Sequence, residues 1–455
     1  MNLAYHYPII YWNCACLSVD SSAIASSDFY NLIDDDIIDV DSDDNKKVQN
    51  KMDYAKLASA LDKFSNVCKI ELPNINESRL SFTPDVERNV ILYGLKGISK
   101  ITDPTINEII NNRPFTSLKD FRDKTSTKVV TKDKIVNLIK CGAFDAIEHK
   151  TRAEIAKEFI WSVCDAKKKL TLQNANMLID QDLFPAELEY QCNVYKLTKQ
   201  LRTQRDPDKL WYCGDRLCIP EGKFDLWKKI ITDSKIIPQD LIIAGEPRRV
   251  IDSKAWDTFY EMNMIYLRNY IKANHDVMLQ QLNMNLFNAE YNKYFSGDEN
   301  QWELDSLNFY FHEHPLSKVI PQMNLDIVKV NQIEEGAQDG MFYIKGKEIP
   351  KMKLFTIAGT VIDKDKVKGL VTLQCPSGVV NLKLYKDLYA TFVAVNEEIN
   401  QDSFFEKGTH LLVTGIQRGA TFVPKVYKNT GRKSILKINL DTAGNFKNFE
   451  EKGDI

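Results

Sequence analysis

From residue 53 onward, apolar positions recur at the three- and four-residue spacing of helices. Leu57, Leu61 and Phe64 share one face of a helix predicted over residues 53–67. An extended stretch with Pro73, Phe82 and Pro84 follows, then a strand-like run over 90–93. The string Gly94-Leu95-Lys96-Gly97-Ile98-Ser99-Lys100 leads into Asp103-Pro104, a helix start with proline in the first turn, and that helix carries Ile106, Ile109 and Ile110. Ser117-Leu118-Lys119-Asp120 has the form of a capping box. Residues 131–141 predict a helix through Ile135, Leu138 and Ile139 that Gly142 ends. Helical period continues over 151–169, 186–204 and 253 to about 282, where Trp256, Phe259 and Tyr266 recur. Trp211, Trp227 and Trp256 suit a core better than a base-stacking platform. At the N-terminus, residues 1–17 are apolar and aromatic (Tyr5, Tyr7, Tyr11, Trp12), and after Pro8 they predict a helix buried on most sides.

The last hundred residues change period. Runs at 353–361, 369–375 and 379–384 read as strands, 385–395 as a helix, and 409–415, 420–426 and 435–440 as strands again. Three strands, a helix and then two strands is the order of an OB-fold. The predicted class is therefore multi-domain α plus β, with a C-terminal OB-fold β-barrel behind helical regions. A length of 455 residues accommodates several such domains.

Charge changes the picture only when taken by segment. The net charge is −3, yet residues 1–45 hold nine Asp and no Lys or Arg, so the remainder carries +6. Residues 88–140 are net +6 and residues 351–437 net +7. In the first segment, backbone N–H groups at a glycine-rich turn before a helix, with Lys96 and Lys100 beside them, suit a DNA phosphate held without base readout. The residues concerned are Gly94, Lys96, Gly97, Ile98, Ser99 and Lys100; the alternative is an ordinary turn. In the second, Phe355, Tyr385 and Phe422 among strands, with Lys383 and Lys425, suit stacking and neutralisation of single-stranded DNA. The alternative there is a barrel that binds a partner protein. Asp39, Asp41 and Asp43 form a D-x-D-x-D string, read as a solvated acidic loop because no Gly or downstream Glu completes a calcium loop. Nine irregularly spaced cysteines predict reduced thiols; Cys213 and Cys218, with Cys192 upstream, are the closest approach to a zinc set. The opening run lacks a basic start and a cleavage site and is too short to span a bilayer, so a cytoplasmic, non-membrane location is expected.

Several strings together resemble one family, the bacterial DNA polymerase III alpha subunits, or C-family replicative polymerases. Ala4-Tyr5-His6-Tyr7-Pro8-Ile9-Ile10-Tyr11 resembles its fingers stretch A-x-x-x-Y-P-hydrophobic-aromatic. Leu72-Pro73-Asn74-Ile75-Asn76-Glu77-Ser78, Phe82 and Leu92-Tyr93-Gly94-Leu95-Lys96-Gly97-Ile98 are similar to L-P-P-D-I-N-x-S, F and the G-L-x-x-I-K-x-hydrophobic-G segment that follows. Residues 113–121 resemble R-x-x-P-F-x-S-L-x-D-F, and residues 138–145 resemble L-I-x-x-G-A-F-D. Residues 302–316 resemble the E-x-E-x-L-G-F-Y-x-S-x-H-P-L string that precedes the family's OB domain. The strings keep family order across residues 4–440, with 150–300 poorly matched.

The resemblance implies a division into the C-terminal part of the fingers with an acidic insert (1–85), a helix-hairpin-helix DNA-binding region (86–150), a helical connector (151–320) and the OB-fold (350–440). It implies that residues 94–100 grip duplex backbone, with Ser99 where the family has its second hairpin glycine. It also implies that the palm, with its P-D-I-D-x-D-F aspartates and its magnesium, belongs to another chain. On this reading no catalytic or metal residue is expected here; the 39–43 string lacks the palm motif's Pro and Phe and lies on the wrong side of the fingers. Two-metal phosphoryl transfer needs carboxylates, so the chain is not expected to polymerise DNA alone. Gln281-Leu282-Asn283-Met284-Asn285-Leu286-Phe287 resembles the clamp-binding peptide Q-L-x-L-x-L-F, with Met284, Leu286 and Phe287 as apolar anchors; the alternative is the apolar stripe of a helix. Expected partners are thus a palm-bearing chain, duplex and single-stranded DNA, and a sliding clamp, in a phage-encoded setting. The other reading is a stand-alone, non-catalytic DNA-binding replication factor derived from such a polymerase.

Overall fold

The computed structural model describes residues 8–21, 53–201, 216–219, 221–233, 250–344, 346–395, 401–427 and 433–452. The strings at 4–7 and 39–43, together with Trp211 and Cys213, lie outside the described residues. Two compact units result: Met1–Lys157 with Tyr294–Ile455, and Glu158–Lys293.

In the larger unit α1 (Ile9–Asp20) buries Ile10, Cys14 and Leu17 but leaves Ile9, Tyr11, Trp12 and Val19 exposed. Among the described residues the helix expected to be buried on most sides is thus covered on one face, while apolar residues also lie on the other. Helix α2 (Tyr54–Ser65) starts where Asp53 accepts a hydrogen bond from the Lys56 amide, and buries Leu57, Leu61 and Phe64. Strands β1 (Lys69–Glu71), β2 (Thr83–Asp85) and β3 (Val90–Leu92) form a small sheet in the order β1-β3-β2. Then come α3 (Asp103–Asn111), α4 (Leu118–Lys124), capped by Ser117, and α5 (Lys132–Lys140). Gly142, at φ +79°, ends α5 by letting the Ala143 amide reach back to the Leu138 carbonyl at 3.0 Å. Short α6 (Asp145–Glu148) and α7 (Arg152–Val163) follow.

The smaller unit is helical around Trp227, Trp256 and Met264, and the Trp227 and Trp256 rings lie 5.6 Å apart, as core residues should. Its main helices are α8 (Asn176–Asp180), α9 (Glu189–Thr198), α10 (Phe224–Asp233), α11 (Ser253–Ala273) and α12 (His275–Tyr294). The single long helix expected from 253 is two, broken at Asn274.

The chain returns to the larger unit through α13 (Glu299–Leu307), which packs against α5, and α14 (Leu316–Val319). Strands β4 (Arg216–Cys218) and β5 (Val250–Asp252) pair within the smaller unit. A hairpin, β6 (Gln338–Ile344) and β7 (Lys347–Met352), precedes β8 (Phe355–Asp365), β9 (Leu370–Cys375) and β10 (Gly378–Lys383). Helix α15 (Lys386–Val393) leads to β11 (His410–Arg418) and β12 (Thr421–Pro424). The pairings β8–β9, β9–β10, β10–β12, β12–β11 and β11–β8 close a five-stranded barrel, with β10 and β12 parallel at Leu382 and Phe422. This is the connectivity of an OB-fold. The 435–440 strand, β13 (Ile435–Leu440), stands outside the closure; it pairs with β11 and with β14 (Phe446–Glu450), extending one side of the barrel. Asp62 on α2 accepts a hydrogen bond from the Val379 amide (3.1 Å), tying the barrel to the helical layer.

At the barrel's base His314 Nδ1 accepts from the Leu316 amide (3.1 Å), so its Nε2 faces the Thr360 hydroxyl at 3.2 Å; His410 Nδ1 lies 2.7 Å from the same hydroxyl. Burial holds both imidazoles neutral, His314 at about 3 and His410 at about 4, well below 6.5. Below pH 6.5 the unfolded chain binds protons that the folded chain refuses. The contribution is therefore complete above 6.5 and is lost as pH falls through 4 toward 3. Thermal melts across this window should show a falling midpoint, with a shallower slope for His410→Asn; equal slopes would refute the assignment.

Candidate nucleic-acid interface

The 94–100 segment folds as a tight 3₁₀ turn, Leu95–Gly97, between β3 and α3. Gly94, Gly97 and Ile98 are buried, which corrects their reading as direct phosphate contacts. The turn's amides are occupied internally: Leu95 donates to Arg79 O (2.8 Å), Lys96 to Leu80 O (3.0 Å), Gly97 to Gly94 O (3.0 Å), Ile98 to Leu95 O (3.2 Å) and Ser99 to Ser306 O (2.7 Å). The glycines serve close packing. A Cβ on Gly94 would stand 2.6 Å from the Ser81 carbonyl carbon, and one on Gly97 would stand 2.7 Å from the buried Tyr93 ring.

Ser99 also faces inward. Its hydroxyl accepts from Asn308 Nδ2 at 2.9 Å. Asn308 sits at φ +57° at the end of α13, where the resembling string has glycine, and so delivers both its side chain and the Ser306 carbonyl to the turn. Lys407, whose burial pushes its ammonium down to about 8, bonds Asn308 Oδ1 from the barrel side. Of residues 94–100 only Lys96 and Lys100 turn their side chains outward, Lys96 partly, in an ion pair with Asp103, and Lys100 exposed at φ +65°.

The positive segment is less available than its count implies. Arg113 donates to the Ile75 and Ser78 carbonyls, Lys134 to Thr105 Oγ1 and Val129 O, and Lys140 to Asp305 (2.8 Å). Lys119 on α4 and Lys128 in the loop before α5 are exposed, and neither was named from the sequence as a DNA contact.

On the barrel, Tyr385 is 66% exposed, and Lys383 and Lys425 are exposed. Phe422 does not: it is 0% exposed, in the barrel core with Phe404 and Val413, because strand alternation turns 421 and 423 outward instead. Phe355 is likewise core. The β8–β9 turn and the start of β12 flank a groove of about 850 Å³ against α1 and α2, lined by Lys56, Lys63, Lys364, Lys366 and Lys368 together with Asp20, Asp53, Asp363 and Asp365. Sequence reasoning missed this edge, although lysine at every second position over 364–368 could have pointed to it.

The 281–287 string is helical within α12, not extended. Leu282 and Phe287 are buried in the smaller unit, Phe287 stacked on Trp161 at 4.5 Å, while Met284 and Gln281 are exposed, Gln281 bonding Asn285 (2.9 Å). The apolar-stripe alternative describes the conformation.

Among the described residues no group of three or more His, Cys, Asp or Glu is placed to hold a metal ion, and no helix is long and apolar enough to cross a membrane.

The lysine-bearing 94–100 turn ahead of α3 and the closed five-stranded barrel lie in one compact unit, an arrangement in keeping with a polymerase-related chain. Residues 68–155 match the helix-hairpin-helix motif family. Over 447 residues the chain is 32% identical to a probable DNA polymerase, YorL, of Bacillus subtilis and to a DNA-directed DNA polymerase of Bacillus phage SPbeta, covering 94% of this chain and 32% of each of those proteins. It is 31% identical over 135 residues to the DNA polymerase III subunit alpha of Aquifex aeolicus, 28% of this chain and 11% of that one. The chain is thus a homologue of DNA polymerases of the polymerase III alpha kind, and it spans about a third of the length of the first two relatives.

Proposed function

We propose that this chain is the DNA-holding portion of a replicative DNA-directed DNA polymerase, acting with palm aspartates and magnesium supplied from outside these 455 residues. The observation that carries the reading is the pairing of the 68–155 helix-hairpin-helix match with a closed OB barrel in one compact unit. The first would hold duplex backbone through Lys96, Lys100 and the exposed Lys119 and Lys128; the second would hold single-stranded template along the edge bearing Lys364, Lys366, Lys368, Lys383, Tyr385 and Lys425. The exposed Ile9, Trp12 and Val19 of α1 offer an apolar face for the palm-bearing chain. Clamp docking through 281–287 would require α12 to unwind there, since Leu282 and Phe287 are packed inside.

Primer extension tests the division of labour: extension is expected only when a palm-bearing polypeptide is added, and extension by the 455-residue chain alone would overturn it. If the purified chain binds DNA but never associates with such a polypeptide, the stand-alone factor is the better reading. Lys96→Ala with Lys100→Ala should weaken duplex binding at all sequences and reduce the slope of log affinity against log salt by up to about 2, one for each phosphate that the removed ammonium groups neutralised.

A further inference from the structure

The β6–β7 hairpin has no role in the readings above. Among the described residues its two strands pair only with each other, and its described side chains are exposed along almost the whole length. Isolated two-stranded hairpins bury too little to be stable alone, and this one is held at its stem: Lys353 N–H donates to Ala337 O (2.8 Å), and Glu335 accepts from the Gly419 amide (2.7 Å) in the β11–β12 turn. The arm therefore springs from the loop end of the barrel that carries that turn.

Its two faces differ in chemistry. The register sets Phe342 opposite Ile349 and Tyr343 opposite Glu348. Strand alternation puts Lys347 and Lys351, two residues either side of Ile349, on the Phe342 face. That face carries a phenyl ring, 49% exposed, with the exposed Ile349 opposite it, between two ammonium groups. The opposite face carries Met341 and Tyr343, whose hydroxyl is turned to Glu348 (2.7 Å). Lys351 pairs with Asp339 at 3.0 Å, both largely exposed, an interaction weak enough to exchange for a phosphate. Residues 338–353 hold four Lys against one Asp and one Glu. An exposed ring flanked by cations at strand spacing fits a base stacked on the ring with its neighbouring phosphates neutralised.

We propose that the β6–β7 hairpin is a single-strand-binding arm, in which Phe342 stacks a base and Lys347 and Lys351 hold the adjoining phosphates as the strand passes the barrel. This deepens the DNA-holding reading and rests on it. The charge of the face favours nucleic acid over an apolar protein surface.

Fluorescence anisotropy with the full chain, using an oligo-dT strand and a duplex of equal length, tests it. Phe342→Ala should weaken oligo-dT binding about tenfold with duplex binding unchanged. Phe342→Trp should keep wild-type affinity and Phe342→Leu should behave as Ala, since stacking needs the π face. Lys347→Ala with Lys351→Ala should reduce the oligo-dT salt slope by about 1.4. Unchanged oligo-dT affinity in Phe342→Ala, with wild-type DNA binding intact, would overturn the arm alone. Wild-type affinity retained in Phe342→Leu, or loss of a palm-chain complex with oligo-dT affinity kept, would overturn it in favour of protein docking. A wild-type chain that binds neither DNA would remove the DNA-holding reading as well.

Discussion

Replacing Arg152 with methionine is expected to destabilise the larger unit by about 3–5 kcal/mol, the usual consequence of leaving a buried charge without its partner. Arg152 is 5% exposed and Glu303 fully buried; their Nη1 and Oε1 atoms are 2.9 Å apart, and Arg152 Nε donates to Asp145 Oδ2 at 2.8 Å. Glu303 also accepts from the Phe311 amide (3.1 Å) and the His312 amide (3.3 Å), so its charge organises the turn that leads to the barrel. Arg152 further fills the space a side chain at Gly142 would need: a Cβ there would stand 2.4 Å from Nη2. One guanidinium thus joins the end of the helix-hairpin-helix region to α13. Urea denaturation of the single variant and of Arg152→Met with Glu303→Leu gives the check. The double variant should recover part of the loss, because the orphaned carboxylate is gone; a single-variant cost below about 1 kcal/mol would contradict the assignment.

Phe422→Ala should cost about 3–5 kcal/mol of barrel stability, the range for deleting a buried phenyl ring. The ring occupies the β10–β12 junction, and a Cβ on Gly415 would approach it to 2.7 Å, so β11 is kept bare to admit it. Tyr385→Ala is the contrasting variant, because its exposed ring contributes little to packing. Thermal melts of the two separate a core role from a surface role. A Phe422→Ala protein as stable as wild type would return Phe422 to the candidate stacking residues.

Much of the architecture was legible because it is local. The 3.6-residue spacing of Leu57, Leu61 and Phe64, the Ser117 cap and the Gly142 stop are each decided within a few residues, and the structure has all of them. The strand-strand-strand-helix-strand-strand order of the barrel was likewise readable. What escaped depends on long-range packing. The break at Asn274 has no proline or glycine to mark it, and the β6–β7 hairpin alternates too weakly to show its period. The 281–287 string carries anchor residues that serve a helix stripe and an extended peptide equally well.

The candidate site divides in the same way. Sequence alone determined that positive charge gathers in two segments, that a glycine-rich turn precedes α3 and that a barrel closes the chain, since composition and period are properties of short stretches. Only the tertiary structure decided which residues of those segments face water. Ser306 and Asn308, some two hundred positions away, occupy the Ser99 amide and hydroxyl; Asp305 takes Lys140; and alternation within four residues of β12 turns Phe422 inward. A buried polar group must find a partner and a barrel must fill its interior. Those two demands are met by residues brought together in space, which no local pattern in the sequence records.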